Sequence, residues 1–182
     1  MFYFITKNLR DGDILHGAGQ SFVDRAIKSI LNDGSHDALV DATNQRVGDA
    51  TWPRCKWTSF ADYEDQMNAL KNPYTVEIYR IPDLPPADGW GMVCWWKKHV
   101  CGQPYDISIY AKILAKRYAP WLSSLAFNPE WAHWCTESVR DAACAYGHDV
   151  WLKDWPTPRT TWNRMKAGKL LDVTASCIGS TP

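Results

Sequence analysis

The chain has 182 residues, 46% of them apolar, and its 20 Lys and Arg balance 20 Asp and Glu. That length suits one domain with one substantial core, and the zero formal charge argues against a protein built on sequence-independent phosphate binding, so no nucleic-acid partner is expected. No apolar run nears the roughly 18 to 20 residues needed to cross a bilayer, and the apolar start, Phe2-Tyr3-Phe4-Ile5, is too short for a secretory core.

The expectation is therefore a soluble, monomeric single domain over 1–182, cytoplasmic or released by a non-classical, phage or effector route. Its six cysteines are expected as thiols rather than a disulfide scaffold. Its eleven tryptophans bring large buried areas and supply flat surfaces for carbohydrate or peptide ligands.

In chain order, Met1 to Thr6 is β-prone, and Asp11-Gly12-Asp13 is a turn signal from which a strand, Ile14-Leu15, leads to its end at Gly17-Ala18-Gly19. From Ser21, the residues Phe22, Val23, Ala26, Ile27, Ile30 and Leu31 recur at helical spacing until Asn32-Asp33-Gly34 stops them. Residues 35 to 41 alternate, with His36, Ala38 and Val40 on one face and Asp37, Leu39 and Asp41 on the other. A turn at Thr43-Asn44 returns the chain as Arg46 to Thr51. With that centre, Asp49 lies opposite Ala38 and diagonally next to His36, within cross-strand reach.

Phe60 to Leu70 has helical spacing, and Tyr74 to Ile81 is the clearest strand. The proline-rich Pro82 to Gly89 reads as a long surface loop inside the domain. Trp90 to Val100 and Ile107 to Tyr118 read as helices. Cys135 opens the next helix, whose buried stripe includes Val139, Ala142, Ala143 and Tyr146, with Gly147 placed to end it. The core is expected over about 11–155, and the stretch from about 156 to 182, with little periodicity, as an irregular C-terminal tail.

A thiol in the first turn of a helix feels the partial positive charge and free N–H groups of that end, which favour thiolate and offer donors to a developing oxyanion. Cys135 has that placement, although a buried cysteine also serves as a small hydrophobe. His36 on a strand, with Asp49 on the adjoining one, supplies a base and a group to fix its tautomer; a satisfied structural histidine is the plainer alternative. Asp37 and Asp41 are rivals of Asp49 that alternation turns away. Glu137 is better explained by the helix dipole than by catalysis, and His133, two residues before Cys135, as a lining residue. The pairs His99-x-Cys101 and His133-x-Cys135, with Cys94, offer soft ligands. Their spacing is poor for zinc, so neither metal nor cofactor is expected.

Five segments, in order, resemble a known family. They are Gly12-Asp13-Ile14-Leu15, Ser35-His36-Asp37-Ala38-Leu39-Val40, Val47-Gly48-Asp49-Ala50, Gly102-Gln103-Pro104-Tyr105-Asp106 and Trp134-Cys135-Thr136-Glu137-Ser138-Val139. Together they are similar to the circularly permuted NlpC-type papain-like hydrolases, the group that includes YiiX-like proteins and lecithin:retinol acyltransferase-like enzymes. A late cysteine after an early histidine is the order that permutation produces.

The resemblance implies an α+β, permuted papain-like fold, with a small antiparallel sheet or half-barrel packed against helices that include the nucleophile helix. It implies Cys135 as nucleophile, His36 as general base and later acid, Asp49 as orienter and Tyr105 beside the thiolate. Trp131 and Trp134, with Trp121, are candidates for the groove wall. Two positions depart from the family, whose third residue is more often Glu, Gln, Asn or His, and whose residue after the cysteine is usually Ser where Thr136 stands here.

The implied reaction is cleavage of an amide bond, in bacterial cell-wall peptides, through a thioester acyl-enzyme. Two other readings stand beside it. One is lipid or thioester acyl hydrolysis or transfer, for which Trp90 to Val100 would lie at a membrane interface; the other is a non-catalytic papain-like binding module.

Overall fold

Alternating apolar residues on neighbouring strands build a sheet that is buried on both faces. A computed structural model describes residues 1–18, 36–50, 53–69, 75–106, 133–151 and 157–180. The expected helices over 21–31 and 107–118, together with Trp121 and Trp131, lie outside the described residues. The strands are β1 (Phe2–Phe4), β2 (Ile14–Ala18), β3 (His36–Asp41), β4 (Arg46–Asp49), β5 (Lys56–Ser59), β6 (Thr75–Arg80), β7 (Leu171–Asp172) and β8 (Ile178–Ser180). Six of them form an antiparallel sheet in the order β5-β4-β3-β2-β6-β7, and β1 pairs with β8.

Two cross-strand rows show how the pleat sorts the core. Ile14 lies between Leu39 and Tyr79, and Leu15 between Ala38 and Ile78. The first row joins a core with Met92, Val93 and Trp96 of helix α2 (Pro86–His99) and Val139, Ala142 and Ala143 of α3 (Cys135–Cys144). The second row joins another core, with Phe60 and Met67 of α1 (Phe60–Ala69) and with Phe4, Val40, Val47 and Cys177. A sheet covered on both faces holds its strands in one register, because a slip of one residue would exchange the two sets.

The β3–β4 hairpin is closed by local chemistry. Asp41 accepts from the backbone N–H of Asn44 at 3.0 Å and pairs with Arg46 at 2.6 Å, while Gln45 takes the left-handed conformation with φ 51°. Leu39 faces Gly48 and Val40 faces Val47, a register whose continuation sets Asp49 across from Ala38, as the turn residues predict. At the same end of β3, Gly12 turns into β2 with φ +88°, and a Cβ there would lie 2.8 Å from Leu84 Cδ2. Asp13, buried, accepts from Arg80 Nε at 2.7 Å and Nη2 at 2.6 Å, tying β2 to β6.

Four sequence expectations are corrected. β2 continues through Gly17 and Ala18, because Gly17 sits in the ladders to β3 and β6 and Ala18 in the ladder to β6. The loop expected over 82–89 contains the start of α2: Pro86 opens the helix, where its missing N–H costs no bond, and Pro85 supplies the extended N-cap. Tyr146 lies beyond α3 and is 39% exposed, with its ring over Gly91 of α2.

The irregular tail expected over 156–182 holds ordered elements among its described residues. Helix α4 (Pro158–Lys166) starts with a capping box between Thr157 and Thr160, β7 extends the sheet, and α5 (Thr174–Cys177) leads into β8. Leu170 and Cys177 are buried in the two cores. These elements are short and held by tertiary pairing, so they leave no apolar period in the sequence. Among the described residues, no helix is long and apolar enough to cross a membrane.

Candidate active site

Cys135 is the first residue of α3 and is 4% exposed. The preceding residue, Trp134, is extended (φ −106°, ψ 168°), and no side chain caps the helix. A capping Ser, Thr, Asp or Asn would fill the first-turn N–H groups with its own oxygen; tryptophan does not. The turn is held from inside instead. Ser138 Oγ donates to the carbonyl of Cys135 at 2.8 Å and accepts from Trp96 Nε1 of α2 at 3.2 Å.

His36 begins β3, the strand against which α3 packs. Its Nε2 lies 2.6 Å from Asp49 Oδ1, with the two side chains 24% and 17% exposed. The Cys135 thiol also lies within hydrogen-bonding reach of the imidazole. Since Asp49 holds Nε2, Nδ1 is the nitrogen left for sulfur. Burial works against the imidazolium, but the charge and hydrogen bond of Asp49, and then the hydrogen bond and charge of Cys135, outweigh it. The His36 pKa is raised well above the ordinary histidine value of 6.5. The structure thus brings together Cys135, His36 and Asp49, from α3, β3 and β4.

The segment ending in Tyr105 and Asp106 lies beside the approach to Cys135. Tyr105 bridges to His133, with His133 N–H donating to Pro104 O at 3.2 Å and Asp106 N–H to His133 O at 3.0 Å. On its other side, Tyr105 N–H donates to Pro53 O at 3.2 Å and Cys55 N–H to Gln103 O at 2.9 Å. Tyr105 is half-buried against the first core. His133 is half-buried as well, and burial lowers its pKa. Trp134 departs from the groove wall expected of it: at 3% exposure its ring is packed inside, and its backbone starts the helix.

The two rival carboxylates have other work. Asp41 holds the β3–β4 turn. Asp37 is wholly buried and gathers three partners. His16 Nδ1 of β2 lies 2.6 Å from its Oδ1, while Thr136 Oγ1 of α3 and Thr161 Oγ1 of α4 donate to its Oδ2 at 2.6 and 2.7 Å. Burial pushes its pKa up, but His16 and the two hydroxyls prevail and hold it below 3.8. Sequence reasoning missed this cluster. The available signal was a carboxylate on the same strand face as Leu39, where it needs a buried partner.

No family model matches the chain, and no curated protein does. Among solved structures, the fold is similar to that of the metalloprotein YiiX from Escherichia coli O157:H7. The two superpose with a TM-score of 0.56 over 95% of this chain and 89% of that one, at 17% sequence identity. The likeness is one of fold: an α+β chain with antiparallel sheets packed against helices.

Proposed function

We propose that the chain is a cysteine hydrolase of the permuted papain-like type, cleaving an amide bond through a thioester acyl-enzyme. The observation that carries the reading is an imidazole held by Asp49 at 2.6 Å, with the thiol of Cys135, at an uncapped helix start, within its hydrogen-bonding reach. An acid, a base and a thiol in that order are the arrangement that nucleophilic catalysis uses, which supports the reading.

In the proposed reaction the proton of the Cys135 thiol passes to His36, and the sulfur attacks the substrate carbonyl. The oxyanion that forms lies near the first-turn N–H groups of α3. His36 then gives its proton to the leaving amine, and the C–N bond breaks to leave a thioester on Cys135. Water, deprotonated by His36, attacks the thioester carbonyl, and the proton returns to sulfur as the acid departs. Asp49 keeps the ring oriented and stabilises its charged form throughout. Tyr105, on the segment paired with His133, is the residue proposed to help place the scissile carbonyl.

Bacterial cell-wall peptides are the proposed substrate, on the strength of the motif resemblance. YiiX is described as a metalloprotein. Here, among the described residues, no three His, Cys, Asp or Glu side chains form a group that could hold a metal ion, so these residues do not fit one and no step is derived through a metal.

Selective alkylation tests the nucleophile. Burial pushes the Cys55 thiol up to about 12 and the Cys144 thiol up to about 11, so neither competes near neutral pH. Iodoacetamide near pH 7 should label Cys135 first, and His36→Ala should abolish that preference. Labelling spread evenly over the thiols, or absent at Cys135, would overturn the reading. Release of a new amine from muropeptides supports the amide substrate, whereas turnover confined to short-chain thioesters or phospholipids would replace it with acyl transfer.

A further inference from the structure

Asp37 follows His36 in β3, and Thr136 follows Cys135 in α3. Their side chains are joined at 2.6 Å, so the chain makes a direct bond one residue away from each member of the proposed reacting pair. We infer that Asp37 is a positioning residue that sets the separation of Cys135 and His36 by tying the first turn of α3 to the strand carrying the base. The inference rests on the reading of Cys135 and His36 as that pair.

Strand alternation makes such a device available. Successive side chains of β3 point to opposite faces, so His36 is free to meet Asp49 while Asp37 enters the core beneath α3. Neither carboxylate oxygen is left to swing. Oδ1 is fixed by His16, its cross-strand partner in the β2–β3 register, and Oδ2 by both Thr136 and Thr161. Each of those partners is itself held. The His16 ring stacks on Tyr79 with centroids 5.2 Å apart, and Thr161 Oγ1 accepts from Trp151 Nε1 at 3.0 Å. Oδ2 is thus a fixed point, and the Thr136 hydroxyl transmits its position to the helix turn that begins with Cys135.

Burying a carboxylate on the strand face that carries Leu39 is expensive, and a well-packed apolar residue could fill such a place without that desolvation. What an apolar residue cannot do is fix one direction at a junction of β2, β3, α3 and α4. A misplacement of about 1 Å at reacting atoms can cost on the order of a hundredfold in rate. Positional control near the pair therefore has a large effect on chemistry.

Two isosteric substitutions separate positioning from bulk stability. Thr136→Val and Thr161→Val each remove one hydroxyl from the same oxygen of Asp37, but only the first cuts the tie to the nucleophile turn. The readout is the iodoacetamide rate at Cys135 across the pH range, with thermal midpoints measured alongside. Thr136→Val should lower the rate near pH 6 by about tenfold or more and shift the profile toward that of an isolated thiol. Thr161→Val should stay within about threefold, and Thr136→Ser, which keeps the hydroxyl, should restore the wild-type profile. If valine is not accommodated at 136, Thr136→Ala makes the same cut.

Equal profiles for wild type and the 136 variants, or equal losses in the 136 and 161 variants, overturn the inference and leave the Cys135–His36 reading standing. A wild-type protein whose Cys135 rate does not depend on His36 removes that reading and this inference together.

Discussion

Replacing Asp49 by alanine removes one named interaction, the carboxylate 2.6 Å from His36 Nε2. A hydrogen bond to a charged group is worth about 1.5–3 kcal/mol, and both side chains are largely withdrawn from water, so little is lost to screening. If that energy favours the imidazolium of the reacting pair, its loss corresponds to a fall of about ten- to 150-fold in the rate of Cys135 acylation or alkylation. The pH profile adds a signed test. In the wild type, burial opposes the charged ring, while Asp49 first and Cys135 second raise its pKa. Without Asp49 the effect of burial gains ground, so the upper limb of the profile should move to lower pH.

Stability should follow the same sign. His36 contributes stability that is fully present below its unfolded value of 6.5 and is lost as pH rises through the higher folded value. Asp49→Ala should therefore reduce the alkaline decline measured by urea unfolding. Asp49→Asn, which retains a hydrogen-bonding group without the charge, should fall between the two. An alanine variant within threefold of the wild-type rate, with its upper limb unmoved, would refute the role given to Asp49.

Other consequences can be measured on the same protein. Asp37 has a folded pKa below 3.8, so its stabilising contribution is present above that value and lost as pH falls through the folded one. Urea midpoints at about pH 5 and pH 3 should differ less in Asp37→Asn than in wild type, and an unchanged difference would contradict the pairing. Leu170 is 2% exposed in the first core, so Leu170→Ala should cost about 2–4 kcal/mol, and a loss under about 0.5 kcal/mol would show that its segment is not part of that core. A Cβ on Gly48 would lie 2.9 Å from Trp57 and 3.2 Å from Trp96. Gly48→Ala should destabilise by about 1–3 kcal/mol, visible as a lowered thermal midpoint, whereas an unchanged midpoint would mean that the tryptophans yield without cost.

The parts of the molecule legible in the sequence are those encoded over a few residues. The alternation over 36–41 and the turn at Asp41 to Gln45 place Asp49 across from Ala38. The start of α3 is legible from the apolar stripe that follows Cys135 and from the resemblance of Cys135-Thr136-Glu137-Ser138 to a known motif, not because its N-cap conforms, since tryptophan is a poor capping residue. Alternation turns Asp37 away from His36, and that same turn hides its role. Its partners come from positions 16, 136 and 161, and no local period connects them. The segment after 156 escaped for a related reason: strands of two and three residues carry no alternation of their own and exist by completing β6 and β1.

The pairing of β1 with β8 has a mechanical consequence. Phe2 stands opposite Ser180, Tyr3 opposite Gly179 and Phe4 opposite Ile178, in antiparallel register. The two strands therefore enter and leave the domain side by side, and a load that draws them apart acts first on the Phe2–Ser180 rung. The hydrogen bonds then open in succession, like a zip, instead of sharing the force as they would in shear. Beyond the third rung the pull reaches Cys177, whose carbonyl accepts from Ile5 N–H at 2.8 Å, and only then the helix and strands behind it. The β1–β8 pair forms a seam of low mechanical resistance, with no ladder among the described residues to the six-stranded sheet that carries His36 and Asp49.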